Sequence, residues 1–328
     1  MAGSSDDPEI AGADWPVFGW QADVRPMLAQ ALADGEPCAL ATLVRVEGSA
    51  PRGPGTQMLF AGNRATGYFS GDCIEGDVAR HAREVIAEGT AKVLHYGAGS
   101  PWIDIRLRCG GALHVFVERI APDCRAARNL LEAGAERRPV VWSSDGIVHT
   151  IEPGEGDPRL EFSDAPLHLR RRFDPPLRAI VTGGDPGALA LAKLAQDAGL
   201  ETHLVRPNGP EGDPPFPVYR YHRSGTAEAV AELGADRWTV YLGATHEDDQ
   251  DLPGCRAALE AGAAYVAMLG ARSRSAERRD ALLAQGIDVA MLERLHLHPG
   301  IDGLGKAPWD IAISVIAEAL RALRLDEV

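Results

Sequence analysis

The chain of 328 residues is long enough for two domains of ordinary size, each with its own core. Hydrophobic residues at 45% and charged residues at 24% give the balance of a soluble globular protein. A net charge of −14 argues against a nucleic-acid backbone held by a global positive field, and no apolar run approaches the roughly 20 residues of a membrane helix.

The first twenty residues are acidic and lack the apolar core of a secretory signal. Together with an odd count of five cysteines, they predict free thiols in a reducing cytoplasm. Residues 1–19 read as a disordered leader. A helix follows over 20–34, with Val24, Met27, Leu28 and Leu32 on one face. Residues 38–47 (CALATLVRVE) form a buried strand, and a Gly/Pro loop carrying Arg52 leads to paired strands at 57–61 and 64–69. A helix from Cys73 to about Glu88, strands at 91–96 and 112–119, a helix near 123–133 and strands at 139–143 and 147–151 complete a first domain over 20–152. Residues 153–176, rich in Pro, Gly, Asp and Arg, read as a linker.

From 177 the pattern becomes alternating strand and helix: strands at 177–182, 201–205, 238–243 and 264–269, and helices ending at 198 and over 225–233, 254–262, 275–285 and 308–323. That alternation implies a parallel sheet with right-handed crossovers, so the fold class is α/β with a C-terminal Rossmann-like domain over 177–328.

Two glycine-flanked cysteine motifs are the most informative features: Ser70-Gly71-Asp72-Cys73-Ile74-Glu75-Gly76 and, 36 residues on, Arg108-Cys109-Gly110-Gly111. Asp72 and Glu75 have the spacing of an N-cap and its N3 partner, which would place Cys73 in the first turn of a helix. Unpaired N–H groups there favour a thiolate. Small buried residues in tight turns explain the same spacing equally well. Arg52 suits an anion contact or an ordinary surface position.

In the second half, Gly183-Gly184-Asp185 stands where a dinucleotide fingerprint needs a glycine at its third place, and Arg206 replaces the acid that closes the second strand. Both changes argue against ordinary NAD binding, so NAD(P) is not the expected cofactor, although Arg206 could still receive the 2′-phosphate of NADP. His246, after the strand at 238–243, is a candidate proton donor or anion contact, or else part of a solvated loop. Arg272 and Arg274 could clamp a phosphate or simply open a helix. His296 and His298 are half of a metal site without a matched third ligand.

These residues resemble the XdhC/CoxI accessory proteins of molybdenum hydroxylases. The resemblance runs through Ala39–Gly55, Gly67–Val78, Leu107–Gly111 and Val117–Arg119. It continues through the glycine turn at 183–188, Thr245-His246, Asp251–Pro253, Tyr265–Arg272 and Gly300–Asp302, covering about residues 20–320. It implies a mixed α/β XdhC/CoxI domain followed by a Rossmann-like domain. The implied protein is an accessory chaperone without turnover of its own, which carries molybdenum cofactor of the molybdopterin type. It protects the sulfurated form and assists insertion into an apoenzyme of the xanthine or CO dehydrogenase type. A cysteine desulfurase-type sulfur donor and a homodimeric state are further implications.

Carried onto this chain, the cofactor-binding residues would be Arg52, Gly71, Cys73, Glu75, Cys109, Gly110, Gly183, Gly184, His246, Arg272 and Asp302. Cys109 would meet the molybdenum or the transferred sulfur, since thiolates are soft ligands. Cys73 would be a second thiol, and a cleft between the domains would bring Arg272 opposite the cysteines. The chain departs from the usual family pattern in carrying Asp72 before Cys73, Asp185 in the glycine turn and Arg206. The alternative is an NAD(P)-dependent oxidoreductase working through a thiol pair.

Overall fold

The computed structural model describes residues 10–71, 73–97, 100, 107 and 110–324. They form two compact units, divided in sequence between Pro175 and Pro176. The first unit contains α1 (Arg25–Ala33), β1 (Cys38–Glu47), β2 (Gln57–Ala61), β3 (Arg64–Thr66), α2 (Glu75–Glu88), β4 (Lys92–Gly97), β5 (Ala112–Ile120), α3 (Arg125–Ala135), β6 (Val140–Ser144), β7 (His149–Pro153), β8 (Leu160–Asp164) and β9 (Leu167–Phe173).

β1 is central in a five-stranded sheet of order β3-β2-β1-β5-β4, antiparallel to both neighbours. Its alternation sorts its side chains between two cores. Ala39, Ala41 and Leu43 face α2, packing with Val78, Ala82 and Val85. Cys38, Leu40 and Val44 face the other way, with Leu28 of α1, Leu130 of α3 and Trp142 of β6. The register against β5 shifts between Leu43 and Arg45, a bulge that turns Val46 back to the α2 side. A second sheet of order β7-β6-β9-β8 contributes Trp142, Leu169 and Phe173 to the α1/α3 core.

The second unit contains β10 (Arg178–Thr182), α4 (Pro186–Asp197), β11 (Glu201–Val205), β12 (Arg220–His222), α5 (Thr226–Leu233), β13 (Thr239–Gly243), α6 (Asp248–Glu260), β14 (Tyr265–Met268), α7 (Ser275–Ala284), β15 (Leu295–His296) and α8 (Pro308–Leu323). Its six strands are all parallel, in the order β12-β11-β10-β13-β14-β15. α4 and α8 cover one face through Leu191, Ala195, Val315 and Ala319. α5, α6 and α7 cover the other through Val230, Ala258 and Leu282. Strand order reverses at β10, so the carboxyl ends of β10 and β13 flank the crevice where such sheets take ligands.

Three sequence expectations need correction. Part of the supposed leader is packed: Ile10 is buried against the α2 core, Ala11 N–H donates to the Asn63 carbonyl at 2.7 Å, and Val17–Trp20 form a 3-10 turn. Residues 1–9 lie outside the described residues. The supposed linker at 153–176 holds β8 and β9, whose Leu169 and Phe173 enter the core. The helix expected at 254–262 begins six residues earlier, and Pro253 lies inside it at the sixth position.

Candidate functional site

In the first unit, Arg52, Gly71, Cys73, Glu75 and Gly110 gather at one end of the five-stranded sheet. The ends of β1 and β4 and the beginning of β5 meet there: Glu47 pairs with Ala112, and so does Gly97. Gly111 makes that junction, because a Cβ on it would stand 2.9 Å from the Glu47 carbonyl oxygen and closer still to that of Ser49. Only a residue without a side chain lets the two backbones approach this closely. α2 runs antiparallel to β4, so its first turn returns to the same end, and Tyr96 Oη donates to Asp77 Oδ2 at 2.7 Å.

The loop before α2 is built around one buried carboxylate. Glu75 accepts N–H bonds from Phe69 (2.9 Å), Ser70 (2.7 Å), Gly71 (3.2 Å) and Ile74 (3.2 Å), and a hydroxyl bond from Ser70 (2.8 Å). The Ser70 hydroxyl in turn accepts the N–H groups of Cys73 (3.0 Å) and Ile74 (3.2 Å). Burial works against the charge of Glu75, but the bonds from Ser70 and Phe69 outweigh it and hold the carboxyl below its usual range.

The expected capping box is therefore replaced. Glu75 is the first helical residue, not N3, and Cys73 lies ahead of the helix. The physical reason is that the Glu75 carboxylate is taken up by the N–H groups of Phe69, Ser70, Gly71 and Ile74. Cys73 is exposed.

Arg52 approaches the same loop. Its guanidinium carbon lies 5.1 Å from the Tyr68 ring centroid, while its Nε is buried without a hydrogen-bond partner among the described residues. A cation over an aromatic face with a donor left unused suits an anionic group arriving from outside the chain. Gly110 precedes the junction, its N–H donating to the Leu107 carbonyl at 3.0 Å. Asp72, Arg108 and Cys109 lie outside the described residues.

In the second unit, Gly183 and Gly184 leave β10 at the switch point. A Cβ on Gly183 would stand 2.8 Å from the Ala244 carbonyl carbon, and one on Gly184 would stand 2.6 Å from Cδ of Arg206. Asp185 is the N-cap of α4, accepting the Ala188 N–H at 2.7 Å. His246 Nε2 stands 3.3 Å from Asp185 Oδ2. The histidine backbone is left-handed (φ 65°), a conformation fixed by buried Asp251, which accepts the N–H groups of Thr245 and His246, both at 3.2 Å.

Gly183, Gly184 and His246 thus surround a carboxylate seated at a helix N-terminus. Arg272 pairs with Asp302 at 3.6 Å, both side chains largely exposed. The two histidines of the His296-x-His298 motif part company: His296 pairs with Glu318 at 3.0 Å, and His298 meets the Ser275 hydroxyl at 2.9 Å. No metal-binding group of three or more His, Cys, Asp or Glu occurs among the described residues. Among them, too, no helix is long and apolar enough to cross a membrane.

Sequence reasoning missed Tyr68 as the platform for Arg52. A Tyr two residues before the Ser-Gly-Asp-Cys turn was the only signal for it.

Comparison with known proteins gives a consistent set of relatives. Residues 31–97 match the family model described as the XdhC and CoxI family, and residues 179–319 that of the XdhC Rossmann domain. A curated relative from Escherichia coli, the molybdenum cofactor insertion chaperone PaoD, is 28% identical over 292 residues. The match covers 88% of this chain and 84% of the relative. A probable xanthine dehydrogenase subunit from Bacillus subtilis is 31% identical over 204 residues, covering 53% of this chain and 61% of that protein. A crystal structure described as a xanthine dehydrogenase from Bacillus halodurans shares the fold, with a TM-score of 0.72 at 20% identity over 92% of this chain and 96% of that one.

Proposed function

The chain belongs to the XdhC and CoxI family, and from that premise we propose that it is a molybdenum cofactor chaperone. It takes the pterin cofactor as cargo, shields the sulfurated form and delivers it to an apo molybdenum hydroxylase of the xanthine or CO dehydrogenase type. The cargo brings a thiophilic metal centre and a phosphate, which call for a soft sulfur ligand and a cation with directed donors.

The observation that carries the reading is Arg52, held over Tyr68 with its buried Nε unpaired beside an exposed cysteine loop. Arg52 would receive the phosphate. Gly71, Gly110 and the Glu75-centred loop would let the cargo approach main-chain N–H groups, and Cys73 would stand by as a second thiol. Cys109 is assigned the contact to molybdenum or to the transferred sulfur. Gly183, Gly184, His246, Arg272 and Asp302 would supply the polar edge of the second unit.

Asp185 at the α4 N-terminus counts against a dinucleotide pyrophosphate at that turn, and Arg206 stands where a ribose-binding acid is expected; both weigh against the oxidoreductase alternative. A cysteine desulfurase-type sulfur donor, a homodimeric state and a cytoplasmic setting complete the proposal.

The test is to purify the protein anaerobically from a molybdenum-replete host and assay bound metal together with pterin fluorescence. Co-purification of both supports the reading, and absence of both overturns it.

A further inference from the structure

A second cysteine cluster lies in the first unit, away from the residues of the proposed cargo site. Cys124 is the N-cap of α3, ahead of the N–H groups of Ala126 and Ala127 in its first turn. Its Sγ is 3.9 Å from Nδ1 of His149 on β7, and Nε2 of His149 is 3.0 Å from Oε2 of Glu118 on β5. Glu118 is fully buried and tightly held: Trp142 Nε1 donates to it at 3.1 Å and the Ser144 hydroxyl donates to its other oxygen. The Trp142 ring packs 4.9 Å from the imidazole.

The order thiol, imidazole, buried carboxylate is the order in which cysteine nucleophiles are activated and oriented. The three members come from separate elements, with no local motif to announce them.

The sulfur also has a space to react into. A cavity of about 300 Å³ is lined by Cys124, His149, Arg119, Ala121, Ile147 and the backbones of Gly89 and Gly146. Arg119 brings a positive charge to its wall, and its Nε is buried without a hydrogen-bond partner among the described residues. We propose that Cys124 is a nucleophilic thiol site that exchanges with small, carboxylate-bearing disulfides. Sγ attacks one sulfur, a new S–S bond forms at Cys124, the old S–S bond breaks, and the departing thiolate takes the proton of the imidazolium. Arg119 receives the carboxylate.

Electrostatics agree with the geometry. Burial opposes both charges, yet the contact with Cys124 and Glu118 lifts His149 to about 9, and His149 with the Ala127 N–H lowers the Cys124 thiol. Cys38 behaves in the opposite way: burial, then the charges of Cys124 and Glu36, push its thiol up to about 12. The groups facing the Cys124 sulfur are thus His149 and, behind it, Glu118, with Arg119 across the cavity and Cys38 on β1.

The test treats the reduced full-length protein with oxidised glutathione or with cystamine, a cationic disulfide, and maps mixed disulfides by peptide mass spectrometry over time. Cys124 is expected to be modified while Cys38 and Cys255 are not, and oxidised glutathione is expected to outpace cystamine. In the wild type the Cys124 rate should fall less steeply between about pH 8 and about pH 6 than that of an ordinary thiol, which slows about tenfold per unit below its pKa. His149→Gln should restore that ordinary pH slope and slow the reaction at neutral pH by about tenfold or more. Arg119→Gln should erase the preference for oxidised glutathione. An ordinary pH slope in the wild type, or Cys124 modified no faster than Cys38, would overturn the proposal without touching the cargo reading. The wild-type profile decides even if a variant fails to fold.

Discussion

Replacing Glu75 by Ala removes the single acceptor around which the Cys73 loop is folded. Four N–H groups and one hydroxyl lose their partner. Ser70 and Gly71 are open enough for water to replace the carboxylate, and the Ile74 N–H keeps the Ser70 hydroxyl, but Phe69 is buried and its N–H is left unpaired. A buried donor left unsatisfied costs about 1–3 kcal/mol, which sets the expected loss. Glu75→Gln keeps one carbonyl acceptor and forfeits the charge, and should cost less than Glu75→Ala.

The assay is urea denaturation of both variants beside the wild type, following Trp142 fluorescence as a reporter of the first unit. The pH dependence has a definite sign. The folded-state carboxyl lies below its ordinary value, so its contribution is fully present above about pH 4.3 and disappears as pH falls through the depressed folded value. The gap between wild type and Glu75→Gln should therefore be constant at neutral pH and close in acid. A loss under about 1 kcal/mol for Glu75→Ala, or a gap that widens in acid, would refute the reasoning.

Three further outcomes follow from the same geometry. Arg52→Ala should lower retained pterin several-fold with little loss of stability, since no hydrogen bond of the described residues ends on its Nε; fluorescence of the purified protein reads this out. Cys109→Ala should abolish retained molybdenum while leaving the unfolding transition in place, and unchanged metal stoichiometry would remove Cys109 from its assigned role. Gly111→Ala should destabilise the first unit by about 2–4 kcal/mol, because the new Cβ meets the backbones of Glu47 and Ser49, which cannot rotate away; denaturation midpoints measure the loss.

Sequence periodicity was sufficient wherever one face of an element is uniformly apolar. β1, α2, β10, β11 and α8 are of this kind, and their bounds differ from the sequence reading by two residues or fewer. It failed in β9, where Arg171 points inward between Leu169 and Phe173. Its guanidinium lies 4.0 Å from the Phe173 ring and its Nε donates to the Gly55 carbonyl at 2.9 Å. An inward arginine erases the period-two signal and leaves what looks like a solvated basic run. Ile10 was invisible for the opposite reason, being one apolar residue in an acidic stretch.

The two halves of the candidate site were legible to different degrees. Glycine turns and flanking cysteines stand out in the sequence. The use of Glu75 as a loop centre depends on backbone and hydroxyl donations that no spacing rule encodes. The Cys124–His149–Glu118 cluster depends on tertiary packing, since β5 and β7 belong to different sheets and meet only where those sheets pack.

The Asp185 cap bears on how the second unit responds to its surroundings. A nucleotide-binding sheet ordinarily has unpaired donors at this helix end and gains stability when a phosphate supplies the acceptor. Here the chain supplies the acceptor itself, with His246 beside it. The first turn of α4 thus takes its cap from the chain itself, and its formation does not depend on an anion supplied from outside.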